Sequence, residues 1–185
     1  MSHRGGIRSA RFLAASTTVR ILLTPVIMGM LMAGAEPALT AVLFAAAAAT
    51  DWFDGYLARR WEVTTKLGSF LDTTADKLLV TGVLIALVAV ERASPWVVVI
   101  IVGRELVILG LRGVIAAEGT VMQPSIWGKL KTAIQFLAIL LAIIRPGDEI
   151  AGHYPDEWVM ILAAIITVAS AWDYLARFAD SLRER

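Results

Sequence analysis

The chain has 185 residues, 58% of them hydrophobic and only 18% charged, with a formal net charge of +1 and no cysteine. A soluble domain carries roughly 45–50% apolar and about 25% charged residues, so the composition points to a bilayer as solvent. Disulfides and thiolate chemistry are excluded outright. Within hydrocarbon each spanning segment must satisfy its own backbone hydrogen bonds, which favours helices of about 20 residues. Six apolar stretches follow in chain order, at about 18–35, 38–58, 72–91, 94–116, 130–145 and 157–177. Turn or charge signals separate them: Ala35-Glu36-Pro37, Arg59 to Glu62, Glu91 to Pro95, Glu118 to Gly128, and Arg145-Pro146-Gly147-Asp148. The expected fold is all-α, a polytopic integral membrane protein with six transmembrane helices in a single domain over 1–185, the first 17 residues or so forming a short tail.

Lys and Arg set the orientation. With the N-terminus (Arg4, Arg8, Arg11) cytoplasmic, six spans put Arg59, Arg60, Lys66, Lys77, Arg112, Lys129, Lys131, Arg177, Arg183 and Arg185 on or near that side. The opposite side receives Arg92 and Arg145 with Glu36, Asp148, Glu149, Asp156 and Glu157. Both termini are therefore expected in the cytoplasm. A competing reading takes Arg8, Arg11, the apolar run and Ala33-Gly34-Ala35 as a cleavable signal peptide, but Arg20 and Pro25 interrupt that run.

Asp51 and Asp54 close the second apolar stretch, and Asp72 and Asp76 open the third. Ionisable groups at membrane depth cost about 3 kcal/mol each on insertion scales and by default suggest function. Spacings of three and four place each pair on one helix face. Four carboxylates facing one another need a cation, and oxygen donors favour Mg²⁺, Mn²⁺ or Ca²⁺ over zinc. His3 and His153 fall in the tail and an outer loop, so neither is expected as a ligand. The bland alternative has Asp51 capping its helix or pairing with Arg59 or Arg60.

The run Asp51-Trp52-Phe53-Asp54-Gly55-Tyr56-Leu57-Ala58-Arg59, then eight residues, then Gly68-Ser69-Phe70-Leu71-Asp72-Thr73-Thr74-Ala75-Asp76, resembles the signature of the CDP-alcohol phosphatidyltransferases. That signature reads D-x2-D-G-x2-A-R-x8-G-x3-D-x3-D, and all its fixed positions are matched. The resemblance implies six transmembrane helices, a homodimer and a polar cavity open to the cytoplasm, in the cytoplasmic membrane. It implies that Asp51, Asp54 and Asp72 hold one or two Mg²⁺ or Mn²⁺ ions on the pyrophosphate of CDP-diacylglycerol. Asp76 would be the general base for the acceptor hydroxyl and would share in metal binding. Gly55, Ala58 and Gly68 would let the nucleotide approach the backbone, and Arg59 would reach its phosphate. Lys77 would contact phosphate or pair with a carboxylate.

Arg104 and Glu105 lie deep in the fourth stretch, Arg112 follows two turns along the same face, and Gly128-Lys129-Leu130-Lys131-Thr132 opens the fifth. Arg104, Arg112, Lys129 and Lys131 form a candidate basic pocket for an anionic phosphate monoester. The duller readings are a structural Arg104–Glu105 ion pair and headgroup binding by Lys129 and Lys131. The segments GRELVI, LR, GK and KT, with ADKLL after the third aspartate, are similar to the glycerol-phosphate branch of the family. The implied acceptor is sn-glycerol 3-phosphate, giving phosphatidylglycerophosphate and CMP. Thr73-Thr74 replaces a proline common in that branch, and Ser16-Thr17-Thr18 replaces its Asn-Pro-Asn. Other acceptors within the family are phosphatidylglycerol and inositol phosphate, and a cation transporter is the rival from another class. Asp173 and Arg177 are expected as an interfacial pair, with Trp172 and Tyr174 anchoring the end of the last helix.

Overall fold

The computed structural model describes residues 3–61, 66–117 and 126–183, with side chains at 16–50, 71, 73–116 and 126–179. Six helices follow one another: α1 (His3–Met32), α2 (Pro37–Trp61), α3 (Lys66–Ala89), α4 (Pro95–Ala117), α5 (Ile126–Ile144) and α6 (Pro155–Arg183). Each expected apolar stretch lies within or largely within one helix. The first helix also takes in most of the expected tail, beginning at His3. Among the described residues the only β geometry is an isolated bridge between Ile150 and His153. Ile126–Ile144 and Pro155–Ala179 are each long and apolar enough to cross a membrane, by length and composition.

The ends of the helices follow from local chemistry. Gly34 closes α1 in the left-handed region at φ 65°, where a residue with Cβ is strained. The Ala35 N–H donates to the Met30 carbonyl at 2.9 Å and the Gly34 N–H to that of Leu31 at 3.1 Å. Pro37 then opens α2, at a position that has no partner for an N–H anyway.

The chain forms two compact units, 1–90 and 91–185. In the first, α1 packs on both α2 and α3. Buried Leu79, Val83 and Leu87 recur every fourth residue along α3, with Ile27 and Leu31 buried on α1 and Phe44 on α2. Gly82 permits the close approach of α3 to α1, since a Cβ there would meet Thr24 Cγ2 at 2.8 Å and Met28 Sδ at 3.0 Å. In the second unit, α6 packs on both α4 and α5. Its buried stripe is small or polar (Ala163, Ala164, Thr167, Ser170), which brings neighbouring backbones close. Gln135 Nε2 on α5 donates to Thr167 Oγ1 on α6 at 3.0 Å, a buried polar clasp between the two helices.

At one end of this unit Arg145 closes α5 and reaches the start of α6. Its guanidinium lies 4.2 Å from the Tyr154 ring centroid, with Nη2 2.7 Å from Glu157 Oε1 and Nε 3.7 Å from an oxygen of fully buried Asp156. Arg92 Nη1 donates to the Ile143 carbonyl at 2.5 Å, capping α5 from the preceding loop.

Gly82→Val is expected to cost about 1–3 kcal/mol through overpacking against Thr24 and Met28. Gly110→Ala, where a Cβ meets nothing within 4 Å, is expected to be neutral or slightly stabilising. Thermal midpoints of the two purified variants in detergent check the contrast.

Candidate active site

The aspartate motif falls on two helices of the first unit. Asp51, Asp54, Gly55, Ala58 and Arg59 lie in the second half of α2, and Gly68, Asp72 and Asp76 in the first three turns of α3. Helical backbone through both segments puts Asp51 one turn from Asp54, and Asp72 one turn from Asp76. The side chains of Asp51, Asp54, Gly55, Ala58, Arg59, Gly68 and Asp72 lie outside the described ones. Asp76 is 20% exposed, and Lys77 Nζ sits 3.2 Å from its Oδ2. Of the two expectations for Lys77, the geometry realises the carboxylate partner.

One residue near this motif escaped the sequence argument except as a break in an apolar run. Arg20 on α1 is only 1% exposed, and its Nη2 donates to Thr50 Oγ1 at 3.5 Å. Thr50 immediately precedes Asp51, so a buried guanidinium is held at the start of the acidic segment of α2. A lone arginine inside an apolar helix was the available signal.

The candidate acceptor residues lie in the second unit, and the structure joins some of them and separates others. Arg104 and Glu105 on α4 meet Lys131 on α5: Glu105 Oε1 accepts from Arg104 Nη1 at 3.3 Å and also from Lys131 Nζ. Arg104 Nη2 donates to Ser170 Oγ on α6 at 2.9 Å. Lys131, 3% exposed, is therefore a compensated interior cation rather than a headgroup ligand. Lys129, two residues earlier, is exposed. Arg112, further along α4, is exposed, with Cζ 5.5 Å from the Tyr174 ring centroid.

The end of α6 differs from expectation in one respect. Asp173 and Arg177 do form the i, i+4 ion pair, and Trp172 is exposed as an anchor would be. Tyr174 is not an anchor. It is buried between α4 and α6 with Ile108 and Ile115, and Leu111, Ala171 and Phe178 pack around them. Helical phase explains the correction, because Tyr174 continues the inward stripe of Thr167 and Ser170 while Trp172 points away from it.

Removing Glu105 would take from buried Lys131 the carboxylate it pairs with, at a cost of about 3–5 kcal/mol. Glu105→Ala is expected to lower the thermal midpoint by about 6 °C or more for a chain of this size. The double change Glu105→Ala with Lys131→Met is expected to recover part of that loss. A single variant with an unshifted midpoint would contradict the pairing.

Comparison with known proteins supplies the family. The sequence model of the CDP-alcohol phosphatidyltransferases matches residues 14–169, most of both units. A Bacillus subtilis protein named CDP-diacylglycerol–glycerol-3-phosphate 3-phosphatidyltransferase is 36% identical over 170 residues, 88% of each chain. Proteins of the same name from Sodalis glossinidius and Haemophilus influenzae are 40% and 37% identical, over 75% and 86% of this chain and 78% and 88% of theirs. The aspartate motif on α2 and α3, the six-helix order and these matches place this chain in the CDP-alcohol phosphatidyltransferase family.

Proposed function

We propose that this chain is a membrane enzyme that transfers the phosphatidyl group of CDP-diacylglycerol to the 1-hydroxyl of sn-glycerol 3-phosphate, giving phosphatidylglycerophosphate and CMP. The observation that carries the reading is the complete aspartate motif on α2 and α3 in a chain whose relatives share one enzyme name over most of their length.

Six helices and the lopsided Lys/Arg distribution support six spans, with both termini and the active site on the cytoplasmic side of the inner membrane. The working form is a homodimer, as the family resemblance suggests.

Four carboxylates and no thiol make a donor set suited to a hard divalent cation, and Asp51, Asp54, Asp72 and Asp76 would hold one or two Mg²⁺ or Mn²⁺ ions. The ions would supply charge stabilisation to the pyrophosphate and to the departing CMP. Arg59 binds the nucleotide phosphate, while Gly55, Ala58 and Gly68 leave room for the nucleotide against the helix backbones. Asp76 accepts the proton of the acceptor hydroxyl as its oxygen bonds to the phosphatidyl phosphorus and the bond to CMP breaks. Lys77 holds one oxygen of Asp76 and so orients the base. Arg104 and Arg112 bind the phosphate of the acceptor, with Glu105 fixing Arg104 and Lys131 between helices; Lys129, exposed on another face of α5, has no part in that pocket.

Chelation of divalent metal is expected to abolish CMP release, and Mg²⁺ or Mn²⁺ to restore it. Asp76→Asn is expected to lower kcat by about 10²–10⁴-fold, while CMP with Mg²⁺ still raises the thermal midpoint. Full activity in that variant would remove Asp76 from the role of base. Arg112→Ala is expected to raise the KM for glycerol 3-phosphate about tenfold, the weight of one charge-assisted contact, with little change in the KM for CDP-diacylglycerol.

A further inference from the structure

Two polar groups buried in the second unit are unused by the interactions around them. The Tyr174 hydroxyl and Arg104 Nε are both buried, and among the described residues neither has a hydrogen-bond partner. Tyr174 as a whole is 7% exposed. A buried hydroxyl or N–H without a partner carries a desolvation penalty, so native interiors seldom keep one unless something else completes it.

These two groups belong to one cluster. Arg104 gives Nη1 to Glu105 and Nη2 to Ser170. Ser170 precedes Tyr174 by one turn on α6, and Arg104 lies within electrostatic reach of both Tyr174 and Arg112. Arg112 in turn stacks over the Tyr174 ring. Two guanidinium groups are thus brought near one phenol with only Glu105 as a carboxylate counter-charge shown among them. A cation pair of this kind, with two spare N–H or O–H donors, suits an anion with several oxygens.

We propose that Tyr174 is an acceptor-binding residue, its hydroxyl donating to the phosphate of the acceptor alongside Arg104 Nε and Arg112. The proposal rests on the reading of glycerol 3-phosphate as acceptor and deepens it by assigning α6 a direct part in recognising the phosphate monoester. The ring does a second job, since its face holds the Arg112 guanidinium while the ring packs in one buried cluster with Ile108 and Ile115. Phenylalanine would keep that packing and lose only the donor. Tyr174→Phe therefore separates binding from structure: a hydroxyl that serves only the fold lowers stability when removed, whereas one awaiting a ligand does not.

The test compares full-length wild type and Tyr174→Phe in detergent with CDP-diacylglycerol and Mg²⁺, following CMP release as glycerol 3-phosphate is varied. The expected result is a KM for glycerol 3-phosphate raised about tenfold or more, with the KM for CDP-diacylglycerol within twofold and an equal or higher thermal midpoint. Inorganic phosphate, as a competitor of glycerol 3-phosphate, should weaken by a similar factor. An unchanged KM for glycerol 3-phosphate would overturn the proposal, as would a parallel rise in both KM values with a lowered midpoint. A raised KM with undiminished inhibition by phosphate would overturn the assignment to the phosphate group. Wild type that releases CMP only with an unphosphorylated acceptor would overturn the functional reading itself, and is visible before any variant is made.

Discussion

An ionised side chain within a hydrocarbon layer must find its compensation inside the protein, because neither water nor lipid tails supply it. The arrangement of polar groups in this chain follows from that requirement. Glu105 is the clearest case: one buried carboxylate accepts from Arg104 on its own helix and from Lys131 on the next. The interaction ties α4 to α5, and the Arg104–Ser170 bond extends it to α6. Two cations whose mutual repulsion would separate them are thereby held together by the carboxylate of Glu105. Breaking one member weakens the compensation of the others, so the network is a condition of the fold as well as of the proposed chemistry.

The same requirement acts with opposite sign on the first unit. Four aspartates within 26 residues concentrate negative charge in this unit. Among the described side chains, Arg20 on α1 is buried beside Thr50 and Lys77 is paired to Asp76. An active site of this kind is held by helices rather than loops, which suits a reaction that depends on fixed positions of phosphate and hydroxyl.

Helix order was legible in the sequence because composition and turn residues act locally. Pro37 and Pro95 open helices, Gly34 and Arg145 end them, and the apolar runs between these marks are helical. The aspartate motif was legible because charge inside an apolar run is costly and therefore conspicuous. Facing was harder to read. In a membrane protein lipid and neighbouring helices are equally apolar, so hydropathy does not say which side of a helix is inside. Trp172 and Tyr174 look alike in sequence, yet two residues on a helix point some 200° apart, and one is exposed while the other is buried. Lys131 and Lys129 divide in the same way. Arg20 stands out in the sequence only as a break in an apolar run, although a single arginine in an apolar helix needs partners, and one of them, Thr50, lies 30 residues away.

The most direct test of the account is CMP release from CDP-diacylglycerol by the purified protein with Mg²⁺, comparing glycerol 3-phosphate, inositol phosphate, inositol, serine and phosphatidylglycerol as acceptors. The account predicts release that depends on glycerol 3-phosphate, with phosphatidylglycerophosphate recovered in the lipid phase. Release sustained by another acceptor and not by glycerol 3-phosphate would contradict it, leaving the aspartate chemistry and overturning the role given to the cations of α4 and α5. Release with none of the acceptors would contradict the transferase reading as a whole.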